Sequence, residues 1–95
     1  MPQHYLIMYR PPRDGFAENA TPEESAEVMK HFEYLKALNV KKTVLFAGRV
    51  NDARFGIALL ETETEQDARD ILDNDPAVKS KVFTAELLPF GLALR

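Results

Sequence analysis

The chain has 95 residues, 45% of them hydrophobic and 28% charged, which is enough apolar material for one core and too little chain for two. Twelve basic residues against fifteen acidic ones give a formal charge of −3, so no broad basic field draws the protein onto nucleic acid. The absence of cysteine removes disulfides, thiolate nucleophiles and cysteine-based zinc sites, and two distant histidines offer no metal-ligand spacing.

The amino end enters a strand-like run at once, with no basic segment, long apolar stretch and small-residue cleavage site, so a cytoplasmic location and no membrane association are expected. Tyr5 to Tyr9 predicts the first strand, with Tyr5, Ile7 and Tyr9 on one face and Leu6 and Met8 on the other. Pro11-Pro12 stops it, and the polar stretch through Asp14-Gly15 to Asn19 reads as the longest loop. Thr21-Pro22-Glu23-Glu24 then carries a cap, a proline for the first helical position and a capping-box acceptor. The helix that follows should run to about Asn39, with Val28, Phe32, Leu35 and Leu38 forming its core stripe and Glu23, Glu27, Lys30 and Glu33 mostly in solvent.

Thr43 to Gly48 and Phe55 to Leu60, separated by a turn at Asn51-Asp52, predict an antiparallel hairpin. Alternation sets Val44 and Phe46 on one face of its first strand, opposite Leu45 and Ala47. Thr64 caps a shorter helix whose buried side is Ala68, Ile71 and Leu72, ending near Asn74 because Pro76 disfavours helical geometry at Asp75. Val82 to Leu88 supplies the last strand.

The order β-α-β-β-α-β is that of an α+β, ferredoxin-like domain over residues 1–95, a four-stranded antiparallel sheet with two helices on one face. Two helices cover one sheet face only, yet the strands are apolar on both. A second copy packed on the other face would cover it, so a homodimer through the sheet face is expected.

Three residues carry the candidate chemistry. His31 lies on or beside the apolar stripe of the first helix, where a part-buried imidazole can shuttle protons near neutral pH or donate one hydrogen bond to a backbone carbonyl as a core-edge residue. Asp75 could orient that ring, or its carboxylate could satisfy backbone N–H groups at the Asp-Pro turn. Arg49 could hold an anionic substrate at a strand end, or pair with Asp52 in solvent. His4 reads as structural, and Lys36, Lys41 and Lys42 read as solvated charges at the end of the first helix.

The run His31-Phe32-Glu33-Tyr34-Leu35-Lys36-Ala37-Leu38, the strand Val44-Leu45-Phe46-Ala47-Gly48, and Asp75-Pro76-Ala77-Val78 followed by Val82-Phe83 and Leu88-Pro89-Phe90 together resemble the YciI-like (YCII-related) family. The resemblance implies a dimeric α+β barrel with a His/Asp site in a cleft beside the helices, the histidine falling at His31 and the aspartate at Asp75. Two departures stand out: Arg49 follows Gly48 where proline is usual, and Lys81 stands where a glycine often precedes the Val-Phe pair. The resemblance also suggests lyase-like or hydrolase-like chemistry on a small organic molecule. The expectation is therefore a cofactor-independent acid/base enzyme using His31 and Asp75, with Arg49 on the substrate; the alternative is a non-catalytic small-ligand-binding or accessory dimerisation module.

Overall fold

A computed structural model describes residues 2–95. The apolar alternations become strands β1 (Gln3–Arg10), β2 (Val44–Arg49), β3 (Gly56–Thr62) and β4 (Thr84–Pro89). The helices are α1 (Phe16–Asn19), α2 (Pro22–Val40), α3 (Glu65–Asp73) and α4 (Pro76–Lys79). The strands form one sheet in the order β2-β3-β1-β4, every neighbouring pair antiparallel, which is the ferredoxin-like arrangement.

Period-two alternation decides which side chains meet the helices. Tyr5, Ile7 and Tyr9 lie beside Ala58, Leu60 and Val44 and are buried with Leu35 of α2 and Ala68 and Leu72 of α3. On the opposite face Leu6 pairs with Leu59 and Leu88, and Arg95 returns along the chain end to bind Glu61 and His4 there. His4 Nε2–H donates to the Glu61 carboxylate at 3.0 Å, joining β1 to β3 on this face. Leu59 is enclosed on this face, Leu6, Met8 and Leu88 are half-buried, and Phe46 and Phe90 are exposed.

The start of α2 follows from its first four residues. Glu24 N–H donates to the Thr21 hydroxyl at 3.1 Å and Thr21 N–H donates to the Glu24 carboxylate at 2.9 Å, closing the capping box. The Arg13 guanidinium also donates to both Glu24 oxygens, and this, with the Thr21 N–H, lowers the Glu24 carboxyl to about 2. At the other end Lys42 adopts φ 68° and Thr43 N–H reaches the Leu38 carbonyl at 3.0 Å, a left-handed helix termination.

The structure departs from the sequence reading in four places. The segment read as a loop contains α1, which buries Phe16 beneath it. A short helix, α4, follows the Asp-Pro step. In β2 a bulge separates Val44 from Phe46, so the two do not share a face: Val44 is buried against the helices and Phe46 pairs with Leu59 on the other side. In α2 the sheet-facing stripe is carried by Tyr34, Leu35 and Leu38, while Phe32 is 57% exposed and Glu27 is half-buried.

Lys81 adopts φ 65°, a region that costs an L-residue about 1–2 kcal/mol and a glycine little. Lys81→Gly should raise the unfolding free energy by about 1 kcal/mol in urea denaturation, and an unshifted midpoint would show that the turn holds no strain.

Candidate active site

Asp75 is placed by its own sequence. It follows the last turn of α3, Pro76 takes the first helical position after it, and the carboxylate caps α4 by accepting from Ala77 N–H at 2.9 Å. This cap aims the carboxylate inward, where Asp75 is 0% exposed. His31 comes down from the middle of α2 onto the same group: its Nδ1–H donates to Oδ2 at 2.7 Å and Oδ1 at 2.9 Å, although 44 positions separate the residues. One carboxylate therefore makes both contacts, capping a helix with one oxygen and holding an imidazole with both.

A carboxylate oxygen accepts, so in the neutral imidazole this contact places the ring proton on Nδ1 and leaves Nε2 as the acceptor. Aromatic rings fix the imidazole plane. The Tyr9 ring meets it edge-on at 4.7 Å and the Phe83 ring at 5.2 Å, with Phe16 packed on Phe83 at 6.0 Å. Phe83 is itself held by its N–H on the Ala77 carbonyl at 3.0 Å.

The Tyr9 hydroxyl is the one buried side-chain polar atom among the described residues without a hydrogen-bond partner. Burial first, and the neighbouring Asp75 charge second, hold this phenol protonated well above its ordinary range. Tyr34 is raised for the same two reasons, and its hydroxyl donates to the Ile71 carbonyl at 2.8 Å, tying α2 to α3 beside the pair. Neither tyrosine nor Phe83 was singled out from the sequence. Tyr9 is marked only by its place on the buried alternation of β1, and Tyr34 and Phe83 only as members of the runs that carry the family resemblance.

A cleft of about 940 Å³ opens on His31 between α2 and the β2–β3 hairpin. Small residues make the room: Arg49 pairs with Gly56 and Ala47 with Ala58, so the hairpin projects little bulk toward the helix. Phe32 lines this cleft instead of entering the core, and so does Lys36, expected only as a solvated charge. Arg49 lines it too. Asp52, the acid expected to pair with it, binds Arg54 at 2.7 Å. No group of three or more potential metal-ligating side chains occurs among the described residues, and no helix among them is long and apolar enough to cross a membrane.

The architecture and the site define a ferredoxin-like α+β protein with a histidine–carboxylate pair at the foot of an apolar cleft. The sequence matches the YCII-related domain over residues 5–90, and the chain belongs to that family. Among solved structures it is similar to the 5-chloro-2-hydroxyhydroquinone dehydrochlorinase TftG from Burkholderia phenoliruptrix AC1100 in complex with 2,5-dihydroxybenzoquinone, at TM-score 0.68 and 18% identity over 94% of this chain and 95% of that one. Protein YJCS is similar at TM-score 0.55 and 12% identity, covering 96% and 99% of the two chains. An uncharacterised protein from Thermotoga maritima gives TM-score 0.50 and 13% identity, covering 96% and 100%. At these identities the likeness is one of fold. No curated protein sequence matches the chain.

Proposed function

We propose that this chain is a cytoplasmic, single-domain, cofactor-independent enzyme in which His31 acts as a general acid/base on a small organic substrate, oriented by Asp75. The observation that carries the reading is the contact between His31 Nδ1–H and the fully buried Asp75 carboxylate, with the second ring nitrogen free at a cleft. In this role Nε2 removes a proton from an acidic C–H bond, and the buried carboxylate stabilises the imidazolium that forms. The C–H electron pair becomes a double bond. The proton is then returned at a neighbouring atom, which is isomerisation, or a leaving group departs with its bonding pair, which is elimination. The similarity to a protein described as a dehydrochlorinase supports the second course, since loss of HCl asks of the protein a base and an outlet for chloride.

The proposal includes a homodimer joined through the sheet face that carries Leu6, Met8 and Leu88, half-buried within one chain, and exposed Phe46 and Phe90. The test uses protein whose mass in solution is first measured by light scattering and should be twice 10.8 kDa. Chlorinated hydroquinones and enolisable carbonyl compounds are then offered to wild type and His31→Asn, with chloride release and solvent-deuterium uptake as readouts. Turnover by wild type should fall by roughly 10²–10⁴ in the variant. Ligands that bind both proteins equally and react with neither would show the chain to be a binding module.

A further inference from the structure

Resting on the reading of His31 as the group that meets the substrate, we propose that the cleft takes an amphipathic organic anion, an aryl carboxylate of about two rings, with its carboxylate on Arg49 and its apolar body against α2.

Charge is the first argument. The protein is acidic overall, with fifteen carboxylate side chains, yet none of them lines the cleft, whose cationic lining is Lys36 and Arg49. Among the described residues neither cation has an ion-pair partner, and Asp52, three positions from Arg49, is engaged by Arg54. Lys36 projects from the helix wall and Arg49 from the strand wall, so the two approach one space from opposite sides. A guanidinium beside an apolar cavity suits a planar carboxylate, which it can bind through two parallel N–H bonds.

Register supplies the second argument. Arg49, Gly56 and Tyr9 are consecutive members of one row across β2, β3 and β1, on the face that the helices cover. Two strand spacings put the backbone at Arg49 about 10 Å from that at Tyr9. The imidazole rests against the Tyr9 ring at 4.7 Å, so the anchoring cation and the reacting nitrogen stand on either side of the one position in the row without a side chain. At Gly56 even a Cβ would come within 3.0 Å of the Gly48 carbonyl oxygen, so this strip of floor is bare backbone. A flat ring system bridging Arg49 and His31 would lie over it.

Apolar surface gives the third argument. Phe32 is 57% exposed and Met29 61% exposed on the α2 wall, beside half-buried Val28, and all three line the cleft. Contact with a ring system would remove this surface from water, with a gain proportional to the area covered. The cleft, about 940 Å³ and continuing around the β2 edge to Phe46 and Ile57, has room for such a ring system against this wall.

The test compares 2-naphthoate with 2-naphthamide, a neutral molecule of nearly the same shape, by calorimetric titration in low-salt buffer. Wild type should prefer the acid by about tenfold, the order expected for one charge-assisted pair at an accessible site. Arg49→Gln, at an exposed strand end, should bring the two affinities within about twofold of each other, and Phe32→Ala should weaken both alike. His31→Asn should keep the preference for the acid, so a failure of the acid/base reading leaves this result unchanged and the two remain distinguishable. Equal binding of acid and amide by wild type would overturn the proposal, as would a preference that survives Arg49→Gln. Binding of neither compound by wild type, with the cleft residues protected from solvent in the dimer, would overturn it in favour of a second copy as the occupant.

Discussion

Asp75→Ala should lower the stability of this protein by about 3 kcal/mol, a decrease in thermal midpoint of roughly 12–24 °C for a domain of this size. The side chain is 0% exposed and closes two accounts at once, the Ala77 N–H that begins α4 and the His31 Nδ1–H. Alanine leaves both donors facing a cavity and removes the cap, which alone is worth about 1 kcal/mol. The loss should spread to α2, because α2 rests on α4 through this contact. Differential scanning calorimetry measures the effect directly. A change below about 1 kcal/mol would mean that water replaces the carboxylate at both donors, and the tie between the two helices would be weaker than its geometry.

Asp75→Asn separates function from folding. Asparagine caps a helix as well as aspartate, so one amide oxygen can keep the Ala77 N–H and stability should fall by no more than about 1 kcal/mol. Its NH₂ group then faces Nδ1, which must become the acceptor, and the ring proton moves to Nε2 where the base is needed. Proton abstraction should drop by roughly 10²–10⁴ in a protein that remains folded. Nitrogen-15 NMR of the imidazole should show the protonated nitrogen exchanged between wild type and variant. An unaltered tautomer with unaltered turnover would remove Asp75 from the reaction and leave it as a cap.

Local rules carry much of this fold. Thr21 through Glu24 state a helix start in four letters, and the capping box forms as written. The alternation of Tyr5, Ile7 and Tyr9 against Leu6 and Met8 sets the sheet faces, because a strand has only two. A helix has a continuum of faces, and here periodicity misleads: Phe32 fits a stripe with Val28 and Leu35, but the stripe that meets the sheet lies one flank over, leaving Phe32 at the cleft. The β2 bulge is equally hidden, since no residue type marks where the register shifts, yet the shift inverts every side chain beyond it. At the site, His31 and Asp75 were legible as residue types with a suitable setting. Tyr9 and Phe83 were not, because their part consists of touching the imidazole from β1 and from the segment just before β4, both remote from His31 in sequence.

The bulge at Leu45 bears on more than the direction of Phe46. β2 is a free edge of the sheet, and Val44-Leu45-Phe46-Ala47-Gly48 is an uncharged, β-prone stretch of the kind that recruits further strands into fibrils. One surplus residue breaks the regular spacing of donors and acceptors that an incoming strand would have to match, and Arg49 sets a charge at the end of the run. The same irregularity that turns Val44 into the core and Phe46 away from it therefore also keeps molecules from zipping together along this edge, a protection against amyloid-like assembly that a perfectly regular β2 would lack.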